Sequence, residues 1–90
     1  MNTWDEAKRQ ETLRERGLDF ADAEELFAGR RYYSRPDNRR DYGEERFITV
    51  GYFSGRFVAV VWAKRDGGRR IISMRYGHER EERRFQEHLD

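Results

Sequence analysis

The pattern of apolar and polar positions divides the chain into a helical first third and a strand-rich remainder. Good helix formers run from Asp5 to Arg16, with Asp5 as a possible N-cap and Gly17 where a C-terminal cap would lie. A second helix is predicted after Asp19, because apolar side chains follow at helical spacing until Gly29 ends the pattern. These side chains are Phe20, Ala23, Leu26 and Phe27.

Segments of strand composition follow, separated by turn residues. The predicted strands are Arg31–Arg35, Arg46–Phe53, Arg56–Lys64 and Arg70–Tyr76, and a last helix runs from about Glu79 to Leu89. Ser54-Gly55 is a two-residue hairpin signal, and Asp66-Gly67-Gly68 turns the chain again. The predicted fold is therefore α+β: two N-terminal helices packed on a four-stranded antiparallel sheet, followed by a C-terminal helix.

The two loops determine which strand residues share a face of the sheet. With Ser54-Gly55 as the first loop, Ile48, Val50 and Tyr52 point to one apolar face. With Asp66-Gly67 as the second loop, Ile72 pairs with Val61 and Met74 with Ala59, which extends this face. We expect it to pack on the N-terminal helices. The opposite face would then be mixed and would carry Phe47, Thr49, Phe53, Val58, Val60, Trp62, Ile71, Ser73 and Arg75.

Length and composition restrict the class of protein. Ninety residues allow one domain, residues 1–90, because a second hydrophobic core would not fit. Thirteen aromatic side chains argue against disorder despite 41% charged residues. The sequence has no cysteine, no basic-then-apolar leader and no apolar run of about 20 residues. These features predict a cytoplasmic protein without a membrane partner.

Charge is segregated along the chain although the net charge is only +1. Residues 1–27 carry four basic and eight acidic side chains, whereas residues 28–63 carry seven and four, and residues 64–84 carry eight and four. A basic C-terminal two-thirds is compatible with a polyanion such as RNA, and ordinary solvated charge explains it equally well. Arginine greatly outnumbers lysine, which favours phosphate recognition.

Four segments, in the same order along the chain, together resemble the BrnT family of small bacterial toxins. The first comprises Trp4-Asp5, Lys8, Leu13 and Gly17, followed by Phe20, Ala23 and Leu26-Phe27. The most specific comprises Asp37 and Arg40-Asp41-Tyr42-Gly43-Glu44-Glu45-Arg46. The last two are Ile72-Ser73-x-Arg75 and Glu81-Glu82-Arg83-Arg84.

The resemblance implies a RelE-like fold and an RNA-cleaving toxin of a type II toxin–antitoxin pair. It also implies a BrnA-type ribbon-helix-helix antitoxin in a heterotetramer, with operator DNA bound only through the antitoxin. The sequence departs from the family pattern in three places: Glu15-Arg16-Gly17 replaces Lys-His-Gly, Thr12 replaces Asn, and Gly77-His78 replaces Ala-Thr. Arg16 cannot take over proton transfer from a histidine, because a guanidinium stays protonated.

Metal-independent RNA cleavage uses the 2′-hydroxyl of the substrate as nucleophile. It needs a base, a cation at the phosphorane and an acid for the leaving oxygen. We expect no metal or other cofactor, because His78 and His88 lack the spacing of metal ligands. The catalytic candidates are the cations Arg46 and Arg75 and the proton-transfer groups Glu45 and His78. The substrate-binding candidates are Lys8, Arg16, Arg40, Tyr42, Arg70 and Ser73.

Each candidate also has a structural interpretation. A strand arginine such as Arg75 can equally pair with a helix carboxylate, and Arg40 to Arg46 can form a salt-bridged loop. His78 stands where a helix N-cap belongs, with Glu81 three residues later. Two functional hypotheses therefore stay open: a ribonuclease toxin, and a non-catalytic member that acts only as an antitoxin- or nucleic-acid-binding module. A plain interaction scaffold is a third.

Overall fold

A computed structural model describes residues 1–29 and 31–89 and places one mixed sheet between helices. The strands are β1 (Asn2–Trp4), β2 (Tyr32–Pro36), β3 (Arg46–Phe53), β4 (Arg56–Arg65) and β5 (Gly68–Tyr76). The helices are α1 (Glu6–Arg16), α2 (Ala23–Ala28) and α3 (Glu79–Leu89), and a 3-10 turn (Phe20–Asp22) leads into α2. The strand order is β1-β5-β4-β3-β2, with β1 parallel to β5 and the other pairs antiparallel.

The α+β class is confirmed, but the prediction of four antiparallel strands is wrong, because β1 adds a fifth, parallel strand. Three residues are too few to show the alternation that identifies a strand. β1 can approach because β5 begins with Gly68, where a side chain would collide with the backbone oxygen of Met1. Gly68, which the sequence assigned to a turn, is thus the first residue of β5 and allows β1 to pack closely against it.

Helix α1 has the predicted caps but little packing. The Asp5 carboxylate accepts hydrogen bonds from the N–H groups of Ala7 and Lys8 at 2.9 and 3.3 Å, and Gly17 takes the left-handed conformation with φ of 69°. None of its residues is buried. Within the described part of the chain, no helix is both long and apolar enough to cross a membrane.

Both two-residue hairpin loops are confirmed. Ser54-Gly55 and Asp66-Gly67 have positive φ at both positions, the geometry of a type I′ turn. From Asp66-Gly67 the β4–β5 pairing runs as predicted as far as Trp62 opposite Ile71. An irregularity then shifts the register by one residue, so that Ser73 lies opposite Val61 and Arg75 opposite Ala59. A β-bulge at Ile72 accounts for this shift.

The bulge exchanges the faces of the residues that follow it, so the predicted pairs Ile72–Val61 and Met74–Ala59 are wrong. Met74 joins the face of Val60 and Trp62, which packs against the 3-10 turn and α2 through Phe20, Ala23 and Leu26. The face predicted to be mixed is therefore the one that carries the main core. Ser73 and Arg75 join Ile48, Val50, Ala59 and Val61 on the opposite face, part of which α3 covers.

Candidate functional site

The face opposite the main core carries an arginine from each of three rows of paired residues, and we call it the arginine face. The first row is Arg46–Ala63–Arg70, running across β3, β4 and β5. The second is Arg35–Ile48–Val61–Ser73, and the third is Tyr33–Val50–Ala59–Arg75, both running from β2 to β5. Three candidates from the sequence, Arg46, Arg70 and Arg75, thus share one face with Ser73.

Arg46, in the first row, is held by groups from the segment before β3. Its Nε donates to Glu44 at 3.1 Å, and its guanidinium lies 4.1 Å from the centre of the Tyr42 ring. Arg65 donates to the same Glu44 carboxylate at 2.6 Å. The hydrogen bonds from Arg65 and then Arg46 lower the pKa of Glu44. Arg46 therefore shares the Glu44 carboxylate with Arg65.

The other candidates of this segment, besides Tyr42 itself, are Arg40 and Glu45. The Arg40 guanidinium lies 5.2 Å from the ring centre, on an exposed residue. Glu45 is exposed and forms no hydrogen bond or ion pair with residues of the described ranges. Asp37 is buried, and the hydrogen bond from Arg39 lowers the pKa of Asp37 to about 2. Within the segment Arg40 to Arg46, the salt-bridged interpretation is correct for Arg46, which pairs with Glu44.

Arg75, in the third row, forms the strongest ion pair on the arginine face. Its two terminal nitrogens donate to the two oxygens of Glu81 at 2.8 and 3.0 Å. Glu81 also accepts the backbone N–H of His78 at 2.8 Å, as a residue three positions inside a helix does in a capping box. The hydrogen bonds from Arg75 lower the pKa of Glu81 to about 2. His78 therefore has the structural role of a cap, with an exposed side chain.

The catalytic candidates fall into two sets at opposite ends of the sheet. Arg46 lies opposite Ala63 of β4, and Arg75 lies opposite Ala59 of the same strand. Because Ala59 and Ala63 are four residues apart, the backbone positions of the two arginines are separated by ~13 Å along the strand direction. Each guanidinium is bound by a carboxylate from its own end, Glu44 or Glu81. Glu45 belongs to the first end and His78 to the second. In the free protein, the two guanidinium groups are therefore held at separate places by separate carboxylates.

Arg16 and Lys8 both lie on α1. Arg16 donates to the backbone oxygen of Met74 at 2.8 Å and so satisfies a carbonyl of β5 beyond the part that β1 covers. Lys8 is exposed and makes no side-chain hydrogen bond or ion pair with residues 1–29 or 31–89. Arg16 thus ties the helix to the sheet, whereas Lys8 is free to meet an approaching anion.

Helix α3 packs over the third row, where its Glu81 binds Arg75 and its His88 contacts Tyr33. Its buried Phe85 packs against the rings of Phe57 and Tyr52, with centres 5.6 and 5.7 Å apart. The Tyr52 hydroxyl donates to Glu82 and accepts a hydrogen bond from Gln86 at 3.0 Å. The hydrogen bond to Glu82 raises the pKa of Tyr52. Polar and aromatic contacts therefore fix α3 across one end of the arginine face.

A groove of about 490 Å³ lies between α3 and β2, beside the third row. Its lining includes Tyr33 and Arg35 from β2, and Arg84 and His88 from α3. The His88 and Tyr33 rings form a T-shaped pair with centres 4.4 Å apart. Tyr33, Arg35 and Arg84 were not predicted as site residues. Tyr33 and Arg35 are two apart in a strand and therefore point to the same face of the sheet, but which face this is depends on the β2–β3 register.

Among the described residues, no three His, Cys, Asp or Glu side chains are grouped closely enough to hold a metal ion. The described arrangement offers cations, hydroxyl groups and aromatic rings on an open sheet face. These groups bind phosphates and bases of nucleic acids.

A family model described as the ribonuclease toxin, BrnT, of a type II toxin–antitoxin system matches residues 4–81. The chain belongs to the BrnT family. It is thus the toxin of a type II toxin–antitoxin system and has an antitoxin as partner. The resemblance stated from the four sequence segments is confirmed. A comparison with curated proteins finds no match to this BrnT chain.

Proposed function

We propose that this BrnT protein is a metal-independent endoribonuclease that cleaves RNA through the 2′-hydroxyl of its substrate. The arginine face supports this proposal, because it offers several cations to a polyanion on a surface that the main core does not use. We further propose that residues 1–90 form a single cytoplasmic RelE-like toxin domain. A BrnA-type ribbon-helix-helix antitoxin neutralises it in a heterotetramer, and operator DNA is bound only through that antitoxin.

One candidate set lies around Arg75. Its planar guanidinium matches two phosphate oxygens and would stabilise the phosphorane, with the Ser73 hydroxyl two residues away on the same face. His78, at the end of the same strand, would transfer the proton. A phosphate must first replace the Glu81 carboxylate, which binds Arg75 in the free protein.

The other set lies around Arg46. Arg46 on β3 and Arg70 on β5 flank the small side chain of Ala63 on β4, so two cations can reach one phosphate from the two sides of β4. The exposed Glu45 precedes Arg46 and would act as the base, while Arg40 and Tyr42 bind the neighbouring nucleotide. Lys8 and Arg16 contribute positive charge to the approach of RNA.

The first experiment is expression of the chain with and without a ribbon-helix-helix antitoxin. We expect growth arrest and RNA fragmentation from the toxin alone, and recovery of both when the antitoxin is present. Purified toxin should cleave RNA in the presence of EDTA and leave 2′,3′-cyclic phosphate ends. A soluble, folded product that neither arrests growth nor cleaves RNA would refute the catalytic proposal.

The second experiment separates the two sets. Arg46→Lys and Arg75→Lys keep the charge but lose the planar fork. We expect the substitution in the catalytic set to reduce kcat at least 100-fold, and the other to act mainly on KM. Arg83→Ala is the control, because Arg83 is exposed on α3 and forms only a 3.4 Å ion pair with Glu79. Equal activity of both lysine variants and the parent would remove both arginines from the mechanism.

A non-catalytic binding module is the second candidate function. It is favoured by the ion pairs that Arg46 and Arg75 already form with Glu44 and Glu81. In that case the chain binds its antitoxin, and the RNA in the experiments above stays intact.

A further inference from the structure

The groove between α3 and β2 combines two arginines with an accessible aromatic ring. Arg35 and Arg84 are exposed, and neither forms a hydrogen bond or ion pair with a residue of the described ranges. This distinguishes them from Arg46 and Arg75, whose guanidinium groups are bound to carboxylates. Two cations with no partner among residues 1–29 and 31–89 are available to bind an anion.

Tyr33 gives the groove a surface on which a base can stack. Its side chain is 42% exposed although the edge contact with His88 holds the ring in place. A ring held by another aromatic group loses little conformational freedom when a ligand stacks on it. The volume of about 490 Å³ is in the ordinary range of small-molecule sites and is large enough for one nucleotide.

The groove adjoins the third row of the arginine face. Its floor includes Val50, the partner of Ala59, and its wall includes Glu81, the partner of Arg75. Glu81 and Glu87 also line the groove, but the charge of Glu81 is neutralised by Arg75. Arg35 and Arg84 therefore outweigh Glu87, and the charge of these lining residues is positive. A nucleotide in the groove would therefore place the next phosphate of its strand close to Arg75.

We infer that this groove binds one nucleotide of single-stranded RNA beside the cleaved bond, with the base on Tyr33 and the phosphate on Arg35 and Arg84. The inference rests on the proposed ribonuclease function and deepens it. Tyr33 and the two arginines are positioning residues in this arrangement. Stacking on an aromatic ring tolerates every base, so the groove contributes affinity with little sequence preference.

The test measures binding without cleavage. A fluorescein-labelled single-stranded RNA with 2′-O-methyl groups lacks the nucleophile, and fluorescence anisotropy reports its affinity at several salt concentrations. We expect Tyr33→Ala to weaken binding about 5- to 10-fold, the lower part of the range for loss of a stacked base. Tyr33→Phe, which keeps the ring, should stay within about twofold of the parent.

The arginines have a separate readout. Because both arginines bind the same phosphate, the double variant Arg35→Ala/Arg84→Ala should make the dependence of log affinity on log salt less steep by about 0.7, the value for one phosphate of a single strand. Arg14→Ala is the matched control, because Arg14 is exposed on α1, beside the 3-10 turn and β5. It should leave the slope unchanged. Circular dichroism confirms that each variant is folded.

The possible failures are distinguishable. If the parent binds RNA and the Tyr33, Arg35 and Arg84 variants bind it equally well, the groove assignment is wrong and the ribonuclease proposal stands. If these variants keep RNA affinity and lose antitoxin binding, the groove belongs to the antitoxin and the inference is overturned. If the parent binds no RNA, the proposed function fails, and the groove assignment fails with it.

Discussion

Replacing Glu81 by glutamine tests the ion pair that joins α3 to the arginine face. Glutamine has nearly the same shape and can still accept the backbone N–H of His78, so the change removes mainly the charge that binds Arg75. The pKa of Glu81 falls from 4.5 to about 2 on folding. At ~1.4 kcal/mol per pKa unit this corresponds to at most ~3.5 kcal/mol of folding free energy.

The expected loss is smaller because solvent screens the pair. The side chains of Arg75 and Glu81 are 30% and 22% exposed. We therefore expect Glu81→Gln to lower the free energy of unfolding by ~2 kcal/mol at pH 7. Because the pKa is lowered in the folded state, the stabilisation is complete above the ordinary pKa of 4.5. It is lost as pH falls toward about 2.

Urea unfolding followed by tryptophan fluorescence at pH values from 7 to 2 measures this difference. The gap between parent and variant should be largest at pH 7 and should shrink between pH 4.5 and about 2. Other titrating carboxylates, such as Asp37, are present in both proteins and cancel. Glu79→Gln is the control, since the Glu79 side chain is 87% exposed and its removal should not change stability measurably. A Glu81→Gln gap that persists at pH 2, or that equals the control at pH 7, would refute the reasoning.

Three further substitutions test the core and the local geometry by thermal or urea unfolding. Thr49→Val should cost ~1–3 kcal/mol, because the buried Thr49 hydroxyl accepts the Trp62 Nε1–H at 2.8 Å and valine leaves that donor unpaired; an unchanged Tm would exclude this role. Gly51→Ala should cost a similar ~1–3 kcal/mol, since a Cβ atom would lie 2.6 Å from the backbone oxygen of Arg31; a neutral effect would mean that β2 moves freely. Asp5→Ala should cost ~1 kcal/mol and lower helicity, and Asp5→Asn should restore most of it; equal losses in both would show that the cap is unimportant.

Local chemistry explains the parts of the fold that were predictable. The loops at Ser54-Gly55 and Asp66-Gly67 require positive φ, which few residue pairs accept, so their positions and the β3–β4 register follow from the sequence. The caps at Asp5 and Gly17 follow in the same way. Each of these features depends on residues that are neighbours in the chain.

Features that depend on tertiary packing were not predictable. The bulge at Ile72 has no turn residue to mark it, and it reverses the faces of Met74 and Arg75. Met74 thereby fills the main core opposite α2, where it is fully buried. Burial of this side chain decides the register, because the alternative would leave Met74 on the arginine face and place a charged guanidinium in the core.

The site was only partly predictable for the same reason. Arg46, Arg70, Ser73 and Arg75 were selected for their residue types, and the fold gathers them on one face. Arg35 and Arg84 were not selected, because the face of β2 and the placement of α3 depend on contacts between distant segments. Ala7 and Leu13 of α1 are exposed, whereas Trp4 packs against the core from β1.

The distribution of ion pairs implies an order of events on the arginine face. Within the described part of the chain, Arg35, Arg70 and Arg84 have no carboxylate partner, whereas Arg46 and Arg75 are paired with Glu44 and Glu81. A polyanion meets the unpaired cations first, because nothing has to be displaced. It engages the paired cations only when a phosphate is aligned well enough to compete with the Glu44 or Glu81 carboxylate. Under the proposed function, Glu44 and Glu81 would therefore exclude loosely bound anions from Arg46 and Arg75. They would favour an RNA strand that the groove and the first row have already positioned.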